Sequence, residues 1–133
     1  MLRYASMMLI AGLMMASVLT GTLRAEGDVE GLMKTIAGGK GGAHKVLKKL
    51  LATPETDWDK VSAETVRYAD AAGKLPATKP EKGDSKSWDK LTKEFAASAK
   101  ELSAAAAKKD KKAVDVAYGK LTESCEVCHE IHR

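Results

Sequence analysis

The chain has 133 residues, the length of one ordinary domain, with 44% hydrophobic, 30% charged and only 5% aromatic residues. Its formal net charge of +4 comes from lysines that are spread along the chain, which argues against the concentrated basic patch of a nucleic-acid-binding protein. So few aromatic side chains leave a core that aliphatic residues, alanine or a bound group must complete.

The N-terminal stretch has the layout of a secretory signal peptide. Arg3 gives a positive start, residues 4–23 are almost wholly apolar, and Ala25 is a small residue at which cleavage can occur. We therefore expect residues 1–25 to be removed on export, to the periplasm or an equivalent space, and residues 26–133 to form the mature domain without stable membrane insertion. The alternative is an uncleaved membrane anchor, because the apolar stretch approaches the length that spans a bilayer.

Four amphipathic helices are predicted in the mature domain, because apolar residues recur there every three or four positions. The first spans about residues 28–52, the second runs from residue 54 or 57 to 72, the third from 85 or 87 to 108, and the fourth begins at Asp110. Short connections between such helices favour an all-α fold, an antiparallel four-helix bundle. Five aromatic side chains are expected to face its core: Trp58, Tyr68, Trp88, Phe95 and Tyr118.

A run of glycines interrupts the first predicted helix. Four of the five residues at 38–42 are glycine. Each glycine costs about 1 kcal/mol relative to alanine in a helix interior. Either the helix breaks at this run, or packing and a ligand hold it together.

The motif with the clearest chemistry is Cys125-Glu126-Val127-Cys128-His129, the Cys-x-x-Cys-His attachment signature of c-type haem. Residues three apart share one face of a helix, so both sulfurs can bond vinyl groups along one edge of the porphyrin. His129 lies beside them and can ligate the iron. Both cysteines of the chain are used in this way. The motif therefore predicts one covalent haem c per chain.

Three other interpretations of the motif remain. A disulfide would suit an exported protein, but it would close a strained, tiny loop on a helix. A thioredoxin-like redox pair normally accompanies a βαβ pattern, which is not predicted here. A zinc site could use Cys125, Cys128, His129 and His132, but four ligands from eight consecutive residues suit a tetrahedron poorly.

With this motif at the end of a four-helix bundle, the chain resembles the class II cytochromes c, the family of the cytochrome c′ bundle. The matching residues are Cys125, Cys128, His129 and the basic Arg133 four positions later. The resemblance implies that His129 is the proximal ligand and that the first helix supplies the sixth iron position. A methionine there gives a low-spin electron carrier, whereas a non-ligating apolar residue leaves a site for small gases. It also implies redox partner proteins, pairing of two copies in many members, and no enzymatic chemistry.

Met33 is the one methionine of residues 26–133, and it lies on the apolar stripe of the first helix at about the depth at which the family has its sixth ligand. We therefore expect Met33 to be the distal ligand of a one-electron carrier, since a thioether paired with histidine raises the reduction potential. The alternatives are Met33 as core filler beside an open, gas-binding site, and His44 as the ligand. In a continuous helix His44 would lie about 16 Å beyond Met33, so both could not face one iron.

The remaining candidates flank the motif. Tyr118 lies two turns before Cys125 on the same face and is expected to contact the porphyrin, whereas His132 is expected at the haem edge or in solvent. Gly31 and Leu32 stand where gas-binding members of the family often have an arginine and a polar residue. This departure favours the electron carrier over the gas-binding protein; a zinc-binding or structural bundle is the third hypothesis.

Overall fold

The structure is a computed structural model, and it describes residues 29–133, all of whose regular elements are helical. The helices are α1 (Val29–Ala37), α2 (Ala43–Leu51), α3 (Trp58–Lys74), α4 (Ser85–Ala107) and α5 (Lys111–His132), with one 3₁₀ turn at Leu75–Ala77. Helix α4 packs against α3 and α5, while α1 and α2 both pack against α3. The predicted four-helix bundle is confirmed, with α1 and α2 together as its first member. The predicted signal peptide, residues 1–25, lies outside the described residues.

The first predicted helix is two helices, because the glycine run breaks it. Gly39 has a φ of +51°, a left-handed conformation that ends an α-helix and that glycine adopts without strain. At Gly42 a Cβ atom would lie 2.6 Å from the carbonyl carbon of Ala37, so the chain turns back too closely for a larger residue. Arg67 of α3 donates from Nη2 to the carbonyl oxygen of Gly41 at 2.6 Å and fastens this turn to the bundle.

Three helices begin at aspartates that cap their first turn. Asp57, Asp84 and Asp110 each accept a hydrogen bond from the backbone N–H three residues later, at 3.0–3.2 Å. Such a cap contributes about 1 kcal/mol to helix stability. The predicted start of the last helix at Asp110 is confirmed, and these caps set where α4 and α5 enter the bundle.

The core is mainly aliphatic, as the composition predicts. Tyr68, Trp88 and Phe95 are buried as expected, but Trp58 and Tyr118 are only partly buried and pack against the edge of the core. Fully buried aliphatic side chains fill most of the space between the helices: Ile36, Leu47, Val61, Leu75, Leu102, Val114 and Leu121. Within residues 29–133 the helices are too short or too polar to cross a membrane.

Candidate haem site

Two adjoining cavities lie between α1 and the last turns of α5. The outer cavity, of about 340 Å³, is lined among others by Val29, Met33, Trp88, Cys128, His129 and His132. The inner cavity, of about 180 Å³, is mostly apolar and is lined among others by Met33, Ile36, His44, Phe95, Cys125, Cys128 and His129. The two cavities adjoin, since Met33, Ala37, Cys128 and His129 line both of them.

Three of the predicted site residues border both cavities. Met33 comes from α1, whereas Cys128 and His129 come from α5. Cys125, one turn before His129, borders the inner cavity. The fold therefore brings together, around the inner cavity, the four side chains that the sequence singled out for attachment and ligation.

The two cysteines are free thiols, each partly buried in the cavity wall. Burial is the main cause that raises the pKa of both thiols, so each is neutral near pH 7. Helix α5 is regular through the motif, so the sulfurs project from one face as the spacing predicts. No group of three or more His, Cys, Asp or Glu residues within 29–133 is arranged to hold a metal ion directly, so the predicted alternative of a zinc site is not formed.

The side chain of His129 lines both cavities and is exposed. Within residues 29–133, none of the hydrogen bonds or ion pairs uses its ring. By contrast, each of the other two histidines uses both ring nitrogens in hydrogen bonds. His129 is therefore the histidine whose ring is available to an iron at this site.

His44, the alternative distal ligand, borders the inner cavity together with Met33. Their expected separation assumed a continuous helix, but the break at residues 38–42 redirects α2. The His44 ring stacks on Tyr118, with centroids 4.4 Å apart and an interplanar angle of 18°. Its Nδ1 lies 3.2 Å from the Tyr68 hydroxyl, and its Nε2 lies 3.3 Å from Oγ1 of Thr122.

Burial, and then the nearby Lys48 ammonium, lower the pKa of His44, so its imidazole is neutral near pH 7. Burial also raises the pKa of Tyr68 far above its usual value, and the adjacent Cys125 adds to this rise. The His44 imidazole and the Tyr68 hydroxyl, which lie 3.2 Å apart, are therefore both uncharged at neutral pH.

Tyr118 lies behind His44 and is not among the residues that line either cavity. Its hydroxyl donates to the backbone carbonyl of His44 at 2.9 Å, and its ring supports the imidazole. Its hydrogen bond and its ring stacking are with His44, and a contact between Tyr118 and the porphyrin stays a prediction. Arg133, the other flanking candidate, lines the outer cavity near its mouth together with Glu30, Lys34 and Glu81.

His132 borders the outer cavity, but it is buried rather than solvent-exposed. Its ring nitrogens bond the carbonyl of Lys82 and the hydroxyl of Ser87, and its ring meets Trp88 edge-on. The spacing of apolar residues in the sequence is consistent with this burial. The apolar stripe of α5 advances in steps of three and four through Cys125 and Cys128, and the next step of four reaches His132.

The arrangement of a Cys-x-x-Cys-His helix opposite a methionine-bearing helix agrees with the result of a family comparison. A family model described as Cytochrome C′ matches residues 31–133. The chain belongs to the cytochrome c′ family. Neither the curated proteins nor the solved structures gave a match.

Members of the cytochrome c′ family carry covalently attached haem c, and the described residues fit such a group. Two free thiols stand three residues apart on one helix, an available imidazole follows them, and the cavity beside them is largely apolar. This cytochrome c′ family protein is accordingly a haem protein of the electron-transfer or gas-binding kind. Cys125, Cys128 and His129 are the residues that could hold the group, with Met33 across the cavity.

Proposed function

We propose that this cytochrome c′ family protein is an exported one-electron carrier. Cys125 and Cys128 hold its haem c, His129 is the proximal ligand and Met33 is the distal ligand. The observation that carries the proposal is that Met33, on α1, borders both cavities together with His129 on α5. Bound haem c supplies an iron that accepts and releases a single electron.

The last turns of α5 fix the group in position and in orientation. Cys125, Cys128 and His129 lie within five consecutive residues of a regular helix, so attachment and proximal ligation share one rigid support. Each thiol would add across one vinyl group: the sulfur would bond the inner vinyl carbon, the terminal vinyl carbon would take the thiol hydrogen, and the C=C double bond would become single. After attachment neither thiol is free for redox chemistry of its own.

Met33 supplies a soft thioether from the opposite helix. A histidine–methionine pair favours the reduced iron and so raises the reduction potential. With both His129 and Met33 as ligands, the coordination number would stay the same in both oxidation states, which would limit the rearrangement that accompanies electron transfer. The apolar wall at Ile36 and Phe95 keeps water from the inner side and favours the state of lower charge.

Export follows from two features of the sequence. Residues 1–25 have the layout of a signal peptide, and bacterial haem c attachment takes place outside the cytoplasm. We infer redox partner proteins as the donors and acceptors of the electron, and we infer no bond-making reaction on a substrate. No nucleic-acid partner is proposed, because removal of residues 1–25 reduces the formal charge to +2, from 20 basic and 18 acidic residues.

The second candidate is a gas-binding protein in which Met33 only fills the core. The family assignment favours it, because the cytochrome c′ family includes gas-binding members. In that case the space beside Met33 would admit carbon monoxide or nitric oxide to an open sixth position.

Met33→Leu, with Val29→Ala as its matched control, tests the proposal. Both residues lie on α1 and border the outer cavity, but only Met33 has an atom that can ligate iron. We expect a low-spin wild-type spectrum, a high-spin spectrum for Met33→Leu that shifts with carbon monoxide, and an unchanged spectrum for Val29→Ala. A high-spin wild type that Met33→Leu leaves unchanged would instead establish the gas-binding candidate.

A further inference from the structure

We propose that His132 is a positioning residue that fixes the orientation of His129 at the haem. It does so by fastening the last turn of α5 to residues 78–88, the segment that leads into α4 and forms its first turn. This inference rests on the proposed function in one respect, that His129 is the proximal ligand.

Both ring nitrogens of His132 are used. Nδ1 lies 2.8 Å from the backbone carbonyl oxygen of Lys82. Because a carbonyl only accepts, Nδ1 carries the proton and donates. Nε2 is then the acceptor, and it receives a hydrogen bond from Oγ of Ser87 at 3.1 Å. A single tautomer satisfies both contacts, so the ring has one defined orientation and no nitrogen left for iron.

The ring also fits closely between Trp88 and Gly83. The Trp88 and His132 rings meet edge-to-face, with centroids 5.3 Å apart and an interplanar angle of 82°. Trp88 is itself anchored, since its Nε1 donates to the carbonyl of Thr78 at 3.0 Å. A Cβ atom at Gly83 would lie 2.6 Å from Nδ1 of His132, so the backbone of the segment lies directly against the ring. Only 6% of His132 is exposed.

These contacts occur where a helix is normally least ordered. The last four carbonyl groups of a helix have no partner within it, and terminal turns fray unless the chain is tied down. His132 is the last residue of α5, and His129 lies one turn before it. Residues three apart are neighbours on the helix surface, so an anchored His132 holds the turn from which the imidazole of His129 projects.

The neighbours of His129 within this turn cannot replace the anchor. Glu130 and Ile131 are exposed, as is Arg133 beyond the helix end. Cys128 is partly buried, but it is assigned to the haem itself. Among the described residues after Leu121, His132 is the one buried side chain. Its contacts therefore hold the end of α5 against the rest of the protein.

The test uses the haem-loaded protein with His132 replaced in three ways. His132→Phe keeps a ring beside Trp88 but loses both hydrogen bonds, His132→Asn keeps a donor near Nδ1, and His132→Gln keeps a polar group near Nε2. Ser87→Ala removes one contact from outside α5. Glu130→Gln, an exposed change in the same turn, is the matched control.

The measurement is the hyperfine-shifted proton NMR spectrum of the haem methyl groups in the ferric protein, with the reduction potential beside it. In low-spin ferric haem the spread of these resonances depends on the orientation of the axial imidazole plane. We expect His132→Phe to change the order or spread of the methyl resonances, and Ser87→Ala to shift them less in the same direction. The Asn and Gln variants should restore part of the wild-type pattern, and Glu130→Gln should keep all of it.

A wild-type methyl pattern in His132→Phe, with haem attached, would overturn the proposal. If His132→Phe fails to fold with haem, Ser87→Ala decides, since an unchanged pattern there would overturn it as well. Failure of the proposed function is detected separately. If His129→Ala keeps the wild-type spectrum, His129 is not the proximal ligand, whatever His132 does.

Discussion

His44 and Met33 border the same inner cavity, although they are eleven positions apart in the sequence. The glycine break between α1 and α2 makes this possible, because a straight helix would separate them by about 16 Å along its axis. The fold thus brings a thioether and an imidazole to one cavity. His44 would have to give up two hydrogen bonds and its stacking on Tyr118 to reach an iron, which favours Met33 as the distal ligand.

The lowered pKa of His44 makes the stability of the protein depend on pH. Burial and Lys48 favour the neutral imidazole in the folded state, whereas the unfolded chain titrates near its usual value of about 6.5. The unfolded state therefore binds the proton more tightly. The contribution of the neutral ring is fully present above about pH 6.5 and is lost as the pH falls through the lower pKa of the folded state.

Urea unfolding of the haem-loaded protein between about pH 7.5 and pH 5 checks this prediction. We expect the free energy of unfolding to fall with decreasing pH, and we expect His44→Gln to make that fall less steep. His44→Gln is a suitable comparison because its side chain can still form hydrogen bonds but does not titrate. Equal slopes in the two proteins would show that His44 makes no such contribution.

Gly83→Ala should destabilise the protein by about 1–3 kcal/mol. Gly83 has a φ of +85°, and an L-residue in the left-handed region costs about 1–2 kcal/mol. The added Cβ would also collide with His132, at 2.6 Å from Nδ1. Denaturant unfolding monitored by circular dichroism gives the free energy of unfolding.

Gly119→Ala is the matched control for that experiment. Gly119 lies inside α5, and a Cβ atom there would meet nothing within 4 Å. Alanine in a helix interior is about 1 kcal/mol more favourable than glycine, so this variant should be more stable than the wild type. Two glycine-to-alanine changes are thus predicted to have opposite signs, and a Gly83→Ala protein as stable as the wild type would disprove the close packing at His132.

Each cysteine of the motif should contribute one bond to the haem. We expect Cys125→Ala and Cys128→Ala to keep haem through a single thioether with reduced yield, and the double variant to lose all covalently bound haem. Mass spectrometry of the denatured proteins measures attachment directly, because non-covalent haem dissociates on unfolding. Ser124→Ala, a change at the neighbouring position in α5, should keep the full mass of protein plus haem. A double variant that retains covalent haem would contradict the assignment.

The fold was largely predictable because the sequence features that indicate helices and their ends lie within a few residues of each other. Apolar spacing of three and four residues located the end of α3 and both ends of α4 to within about two residues, and the capping aspartate at 110 located the start of α5. The glycine run at 38–42 indicated either a break or a held helix, and the sequence alone could not decide between them. Whether the helix breaks depends on tertiary contacts. One example is the hydrogen bond from Arg67 to the carbonyl of Gly41, which joins residues 26 positions apart.

The site was predictable in its chemistry but not in its surroundings. Cys-x-x-Cys-His is a contiguous motif, so its location on one helix face followed from helical geometry. The position of His44 beside the cavity depends on the direction of the chain after the glycine run, and the burial of His132 depends on Lys82 and Ser87, which lie 50 and 45 residues earlier. Such long-range placements leave little trace in a single sequence, although the spacing of the α5 stripe did point to His132.

The absorption spectrum of the haem-loaded wild-type protein, oxidised and then reduced, before and after addition of carbon monoxide, tests the central claim most directly. With His129 and Met33 on the two sides of the iron, the spectrum should be low-spin in both oxidation states, with sharp α and β bands on reduction and little response to the gas. A high-spin spectrum that shifts readily with carbon monoxide would contradict the account and show that the sixth position is open.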